Sequence, residues 1–375
     1  MGCIVAKFGG SSLATAGQMQ KVAAIVRQNP ERRYIVPSAP GKAPEFQDKV
    51  TDLLYACQKA AVVQDTVAFE IVFSQIEARY QSIVDGLGTH FDIHTPLQSV
   101  RHAIWEGADA DYAASRGEYL NGLILADLLH IPFIDPAGGI LFDANGNFDE
   151  NGTQLRFSAL LARHERGVIP GFYGVMPGGR IKTFSRGGSD ITGAIVARAV
   201  GADLYENWTD VSGFLMTDPR IVPNPRTISK ISYRELRELS YMGASVLHED
   251  SIFPVQKGGI PINVKNTNDP EHPGTMILAE PEDDHGCITG IAGKKGFTII
   301  HLEKDKMNSE LGFGRRVLSV FEELGISFEH LPTGIDTLSV VISDKQLNGH
   351  KEEVVRRLRE VCSPDRIEVV SNLAL

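Results

Sequence analysis

At 375 residues, 42% of them hydrophobic and 22% charged, the chain has the make-up of a globular protein and the length of two domains of ~100–200 residues each. A formal charge of −10, from 37 basic and 47 acidic residues, argues against a nucleic-acid groove, which needs surplus lysine and arginine, and points to small-molecule partners. The four cysteines, Cys3, Cys57, Cys287 and Cys362, form no CxxC pair and no apolar run nears ~18 residues, so zinc sites, disulfide scaffolds, membrane spans and secretion signals are not expected, and a reducing cytoplasm is.

Residues 3–8, CIVAKF, read as a buried strand. After the glycine turn at 9–12, Met19, Val22, Ala23 and Val26 recur at i, i+3, i+4 and i+7, which predicts a helix. The alternation continues with strands at 33–36, 131–135, 168–172 and 204–208 and helices at 50–61 and 191–200, the last closed by Gly201. Such alternation predicts an α/β domain with a mainly parallel sheet, whose ligands sit at the C-terminal ends of the strands. Stretches rich in Pro, Gly and acids at 268–275 and 279–286 mark a boundary, giving regions 1–286 and 287–375. Beyond it come a strand at 296–302, a helix at 311–324 with Phe313, Val317, Phe321 and Leu324 on one side, strands at 326–330 and 337–343, a helix at 351–361 and a strand at 367–371. This βαββαβ order is that of a ferredoxin-like module. The closing SNLAL stops inside an apolar stretch without a terminating turn, so the chain is expected to be cut short.

No GxxxxGK[ST], HExxH, GxSxG or GxGxxG occurs, which removes P-loop, zincin, nucleophile-elbow and dinucleotide readings. Four clusters remain at strand ends or helix starts. In KFGGSS (7–12), Gly9 and Gly10 let backbone N–H groups approach a polyanion and Lys7 supplies a mobile cation; the alternative is a strand-to-helix turn capped by Ser11 or Ser12. SRGGSD (185–190), which follows GFYG (171–174), offers the Arg186 fork for a carboxylate, while Ser189 or Asp190 also suits a helix cap. SRGE (115–118) fits a capping box for the helix carrying Leu120, Leu123 and Ile124. TDVSGFLMTDPR (209–220) suits either a nucleotide, through Asp210, Phe214 and Arg220, or an ordinary turn at Asp218-Pro219.

Together with VPSAPGK (36–42), VTDLL (50–54), ENWTDVSG (206–213), ELSYMGASVLH (238–248) and VKNTNDPEHPGT (264–275), these clusters resemble, in this order, the amino-acid kinase family and its aspartate kinases. The resemblance implies a three-layer αβα kinase domain followed by ferredoxin-like ACT modules. It implies ATP-dependent phosphorylation of the L-aspartate side-chain carboxylate with Mg2+ bound mainly through the ATP phosphates, and no protein metal site. It also implies feedback by an end-product amino acid such as lysine or threonine. A homodimer would form through a complete ACT region. The second module is expected to be mostly missing, with residues 288–292 supplying one of its strands.

By the same resemblance, Lys7 stabilises the transferring phosphoryl group, Gly9, Gly10 and Ser11 present donors to it, and Asp190 orients Lys7. Arg186 holds the substrate's α-carboxylate with Ser189, Ser38 and Thr51 beside it, and Glu118 faces its ammonium. Thr209, Asp210, Phe214 and Arg220 lie on the ATP side. Leu215 stands where the family often has an aromatic, and Asn268 where some relatives have a lysine, for which Lys257 or Lys265 would substitute. Met307, Glu310, Phe313, Ser327 and Glu329 would surround the effector; the alternative makes Phe313 core and Glu329 a solvated strand charge. HLPTGID after Glu329 departs from the TTSE-like segment of lysine-inhibited relatives. Two other functions compete: a kinase of the same fold acting on glutamate, an N-acylated amino acid or a nucleoside monophosphate, and a catalytically silent amino-acid sensor.

Overall fold

The computed structural model describes the chain apart from residues 1, 186, 243–246, 248–251, 281–287 and 348. It separates into two compact units, Met1–Ile291 and Ala292–Leu375. The boundary expected at 286/287 lies outside the described residues.

In the first unit the strands are β1 (Ile4–Phe8), β2 (Arg32–Pro37), β3 (Gly167–Val168), β4 (Tyr173–Val175), β5 (Ile181–Thr183), β6 (Leu204–Thr209), β7 (Lys230–Ser232), β8 (Ile262–Asn266) and β9 (Thr275–Leu278). Seven of them form one sheet in the order β3-β2-β1-β6-β8-β9-β7, parallel except between β8 and β9. Strands β4 and β5 make a separate antiparallel hairpin. The helices are α1 (Ala16–Gln28), α2 (Val50–Val62), α3 (Thr66–Leu87), α4 (His94–Trp105), α5 (Ala110–Leu129), α6 (Glu150–Leu161), α7 (Gly188–Val200), α8 (Tyr233–Tyr241) and α9 (Ile252–Gly258).

Side-chain alternation along the central strands divides the apolar residues into two cores, one on each face of the sheet. Val5, Tyr34, Val36 and Tyr205 join the core built with α6, α7 and α9. Ala6, Phe8, Ile35 and Trp208 join the core built with α1 to α5. Lys7 shares the parity of Val5, so its side chain is directed to the α7 face.

Two expected strands are curtailed. Residues 131–135 contribute only a bridge between Phe133 and Val168, because Pro132 has no N–H and Asp135-Pro136 opens a 3-10 turn. The strand expected over 168–172 is regular only at Gly167–Val168; the Ile169 and Gly171 N–H groups still donate to Ile35 O and Pro37 O of β2, and the run ends at Phe172, whose φ is 84°.

Beneath the sheet centre, the Arg32 guanidinium meets the Glu206 carboxylate through Nε at 2.7 Å and Nη2 at 3.1 Å. The Trp208 indole N–H donates to the same carboxylate at 2.8 Å, and Ile25 O accepts from Arg32. The pair is buried, so removing one partner leaves an uncompensated charge. Glu206→Gln is expected to lower the urea unfolding free energy of this unit by ~3–5 kcal/mol.

The second unit contains β10 (Lys295–Glu303), α10 (Phe313–Glu323), β11 (Thr337–Ser343), α11 (Asp344–Leu347), α12 (Lys351–Cys362) and β12 (Arg366–Ala374). Its antiparallel sheet runs β11-β10-β12. The expected strand at 326–330 is reduced to single bridges, His330 with Val341 and Thr333 with Leu338. Pro332, which lacks an N–H, interrupts the pairing. The α10 residues Phe313, Val317 and Phe321 pack against Ile300, Leu302, Val340 and Leu358. Residues 288–291 form no strand; the Ile291 N–H instead donates to Met216 O at 2.7 Å. Among the described residues no helix is long and apolar enough to cross a membrane.

Candidate active site

Strand β1 lies between β2 and β6, and the chain reaches those two neighbours by opposite excursions, so strand order reverses at the C-terminal end of β1. That is where an open parallel sheet leaves a crevice for a ligand. Lys7 occupies this end of β1, and its Nζ lies 2.5 Å from Asp190 Oδ1, with both side chains largely buried. Asn207, the register partner of Lys7 on β6, donates from Nδ2 to the same Asp190 oxygen at 2.8 Å. The Tyr205 hydroxyl donates to the Asp190 backbone carbonyl at 3.1 Å. Gly193, one turn along α7, makes room for that ring: a Cβ there would meet the Tyr205 hydroxyl at 2.6 Å.

Asp190 reaches Lys7 because α7 starts earlier than expected. Gly187, with φ of 58°, is its N-cap residue and makes no side-chain capping bond. Ser189 and Asp190 therefore lie inside the first turn and neither caps the helix. Asn207 lies within ENWTDVSG but is assigned no role there, although two polar residues, Glu206 and Asn207, between the buried Tyr205 and Trp208 are a readable signal.

The KFGGSS turn is held by close backbone contacts. The Gly9 N–H donates to Trp208 O at 2.9 Å, so it is not free for a phosphate, which corrects its expected role. Gly10 O accepts from Gly41 N at 2.8 Å, and a Cβ on Gly41 would stand 2.6 Å from the Gly10 carbonyl carbon. The VPSAPGK loop thus crosses the glycine turn with no space for a side chain. Buried Arg79 of α3 fastens both, donating to Gly41 O at 2.7 Å and Ala14 O at 2.5 Å. Ser11 to Leu13 form a 3-10 turn, Ser12 Oγ lies 2.7 Å from Thr267 Oγ1, and α1 is capped by Thr15 and not by Ser11 or Ser12.

Asp109 caps α5, its carboxylate accepting from the Tyr112 N–H at 2.8 Å. SRGE therefore lies in the middle of the helix and forms no capping box. Gly117 lets α5 press on the VPSAPGK loop, since a Cβ there would meet the Ala39 Cβ at 2.9 Å. Glu118 consequently accepts from the Ala39 N–H. Its Oε2 is buried without a hydrogen-bond partner, as is Oδ1 of Asn121 one turn later, whose Nδ2 donates to Ser38 O at 2.6 Å. Burial pushes the Glu118 carboxyl up to about 8, against the Ala39 hydrogen bond and the nearby charges of Arg116 and Lys7. Two unpaired buried acceptors suit a ligand that brings donors. Thr51 lies half-buried on α2, which packs on α5.

Other expected residues fall elsewhere. Phe214 is 1% exposed within the α7-side core, so it has no face for a purine, a correction that follows from its burial. Arg220 is exposed and turned back on Asp218 at 2.6 Å, in the turn that Asp218-Pro219 makes. Asp210 is exposed beyond β6, with Thr209 Oγ1 at 3.2 Å. Lys257 pairs with Glu150 at 2.6 Å, which removes it as a nucleotide contact, and Lys265 stacks over Trp208 at 5.1 Å. Asn268 accepts from Gln18 and Lys21 of α1. Leu215 bridges Thr227. Arg186 lies outside the described residues, as does part of 238–248. In the second unit, Met307 and Phe313 are in the core, Glu310 pairs with Lys304 and Arg316, and Ser327 is exposed. Glu329 is half-buried, its N–H donating to Val341 O. Among the described residues no group of three or more His, Cys, Asp or Glu side chains forms a metal cage.

A model of the amino acid kinase family matches residues 2–266. Aspartokinase 3 of Bacillus subtilis (strain 168) is 37% identical over 386 residues, covering 99% of this chain and 85% of that protein. The crystal structure of Clostridium acetobutylicum aspartate kinase matches with a TM-score of 0.90 at 53% identity, covering 99% of this chain and 85% of that one. E. coli aspartokinase III, crystallised with aspartate and ADP, matches with a TM-score of 0.72 at 25% identity, covering 99% and 86%. With these matches spanning the crevice around Lys7 and nearly all the rest of its length, the chain belongs to the amino acid kinase family, among the aspartokinases.

Proposed function

We propose that this protein transfers the γ-phosphoryl group of ATP to the side-chain carboxylate of L-aspartate, forming 4-phospho-L-aspartate, the first step toward lysine, threonine and methionine. The observation that carries the reading is the buried Lys7–Asp190 pair at the switch point, beside a buried glutamate with an unpaired oxygen. The aspartokinase relatives support it, one of them crystallised with aspartate and ADP. A substrate carboxylate of ordinary pKa ~3.9 is ionised at neutral pH and is itself the nucleophile, so no general base is required. Catalysis then consists of positioning and charge neutralisation. Asp190 and Asn207 hold Lys7 where negative charge gathers on the transferring phosphoryl group, and Gly10 and Ser11 supply backbone donors from the turn.

On the substrate side, Arg186 takes the α-carboxylate through its two-pronged guanidinium, with Ser189, Ser38 and Thr51 adding polar contacts. Glu118 takes the α-ammonium, which discriminates against N-acylated substrates. Thr209, Asp210 and Arg220 lie on the nucleotide side. Mg2+ would be carried mainly by the ATP phosphates, whose charge it would neutralise. The unit Ala292–Leu375 is read as an ACT regulatory module for an amino-acid effector, lysine or threonine, and as the dimerising element.

A hydroxamate assay over amino-acid substrates tests the assignment: aspartate is turned over, and equal turnover of glutamate sinks it. Arg186→Lys is expected to raise the aspartate KM by at least ~10-fold with a smaller change in kcat, because a point charge cannot reproduce a bidentate contact. Steady-state kinetics at saturating ATP checks this.

A further inference from the structure

Asp111 stands in the first turn of α5, seven residues before Glu118. Its carboxylate accepts from Lys182 Nζ at 2.8 Å, from the Thr183 N–H at 3.2 Å and from the Thr183 hydroxyl. Lys182 and Thr183 end β5, and only the four residues 184–187 separate them from the start of α7. That connection carries Arg186, and Ser189 and Asp190 follow directly. One carboxylate therefore ties the helix bearing Glu118 to the strand end from which the Arg186 segment departs.

The far side of the segment is also tied. The Phe184 N–H donates to Phe172 O at 2.9 Å, and the Phe172 N–H donates to Thr192 Oγ1 at 3.0 Å. A Cβ on Gly188 would meet the Phe172 ring at 2.4 Å, so the start of α7 rests directly on GFYG. The Asp111 and Lys182 side chains are 26% and 30% exposed, which keeps the pair from full solvent screening. Burial opposes the charged form of Asp111, but the hydrogen bonds from Lys182 and Thr183 outweigh it and hold the carboxyl below its ordinary value, so it is ionised at neutral pH. The Tyr55 phenol, raised chiefly by burial, also feels the charges of Asp111, Glu118 and Lys182, so the clamp and Glu118 both lie near one ring.

We infer that Asp111 is a substrate-positioning residue: by fixing the end of β5 to the start of α5, it sets the spacing between Glu118, the group assigned to aspartate's α-ammonium, and the start of α7, which carries Ser189 on the α-carboxylate side. The inference rests on the aspartate reading above. Asp111 touches no reacting atom, so its removal acts through the geometry of the substrate site, where a displacement of ~1 Å can cost as much as ~10²-fold.

The test compares Asp111→Ala, Asp111→Asn and Thr183→Val in the full-length protein. Asp111→Ala is expected to raise the aspartate KM by about 10-fold or more, with the ATP KM within ~2-fold and kcat within ~3-fold. Asp111→Asn keeps an acceptor for both Thr183 donors and is expected to recover most of the loss. Asp111→Ala/Thr183→Val should be no worse than Asp111→Ala alone, since both remove the same tie. An unchanged aspartate KM in Asp111→Ala overturns the inference, and so do aspartate and ATP KM values rising in parallel with a lowered Tm, the pattern of general destabilisation. Wild-type protein that turns over no aspartate overturns the function reading and this inference with it, whereas an active wild type with indifferent Asp111 variants overturns the inference alone.

Discussion

Replacing Lys7 with alanine is expected to lower kcat by ~10²–10³-fold while aspartate still binds. The ammonium is held at the end of β1 by Asp190 at 2.5 Å, and Asp190 is itself held by Asn207. A cation fixed in this way needs no reorganisation as charge builds on the phosphoryl group, and alanine offers no donor in its place. The ammonium contact is assigned to Glu118 on α5, and the carboxylate contact to Arg186, far along the chain from Lys7, so calorimetric aspartate binding should change little. Asp190→Asn should act in the same direction but more weakly, because the lysine remains and loses only its anchor. A kcat near that of wild type in Lys7→Ala refutes the assigned role, and it also revives the silent-sensor reading, in which this lysine has no task.

Glu118→Gln is expected to raise the aspartate KM by ~10–100-fold, the worth of a lost charge-assisted contact to the ammonium, and to flatten the pH dependence. In the free protein this carboxyl titrates at about 8, raised by burial from its ordinary value of 4.5, and is neutral at pH 7. Substrate ammonium favours the ionised form, so binding releases a proton below that pH. For the wild type, kcat/KM for aspartate should therefore climb between about pH 6 and pH 8 and level off above. Stability without substrate runs the other way. A carboxyl whose folded pKa is raised contributes stability fully below its unfolded value of 4.5 and loses that contribution as pH rises through about 8. Glu118→Gln, which cannot ionise, should lack both slopes. Thermal melts and initial rates across pH 5.5–9 would reveal it, and a wild-type acid limb that persists unchanged in the variant would contradict the assignment.

Local signals were enough for the elements with strong periodicity or clear punctuation. The helix at Ala16–Gln28 follows from Met19, Val22, Ala23 and Val26, and Gly201 ends α7 in a left-handed conformation, as a helix-stopping glycine should. Expected strands failed where proline intervened, at Pro132 and Pro332, because pairing needs donors that proline lacks. The capping alternatives at Ser11 or Ser12, at Ser115 and at Ser189 or Asp190 are not realised. In each case another residue, Thr15, Asp109 or Gly187, begins the helix, and a serine in the right spacing carries no record of the φ and ψ that decide which residue is the cap.

What the sequence determined by itself about this protein is its chemistry: which groups are available, and that Lys7 must leave a strand on the side opposite Ala6 and Phe8, because side chains alternate. No local pattern reports contacts over long separations: the Lys7–Asp190 pair, 183 positions apart, is expected only through the family resemblance, and the Asp111–Thr183 contact, 72 apart, was decided by tertiary structure alone. It also decided the charge state of Glu118, since the rise to about 8 comes from desolvation by elements far along the chain. Phe214 gives the same lesson in reverse: an aromatic beside a nucleotide-like loop was available to a base until the surrounding core enclosed it. Residue type and spacing are local properties, whereas burial belongs to the whole fold and sets both the strength of an ion pair and the cost of a charge.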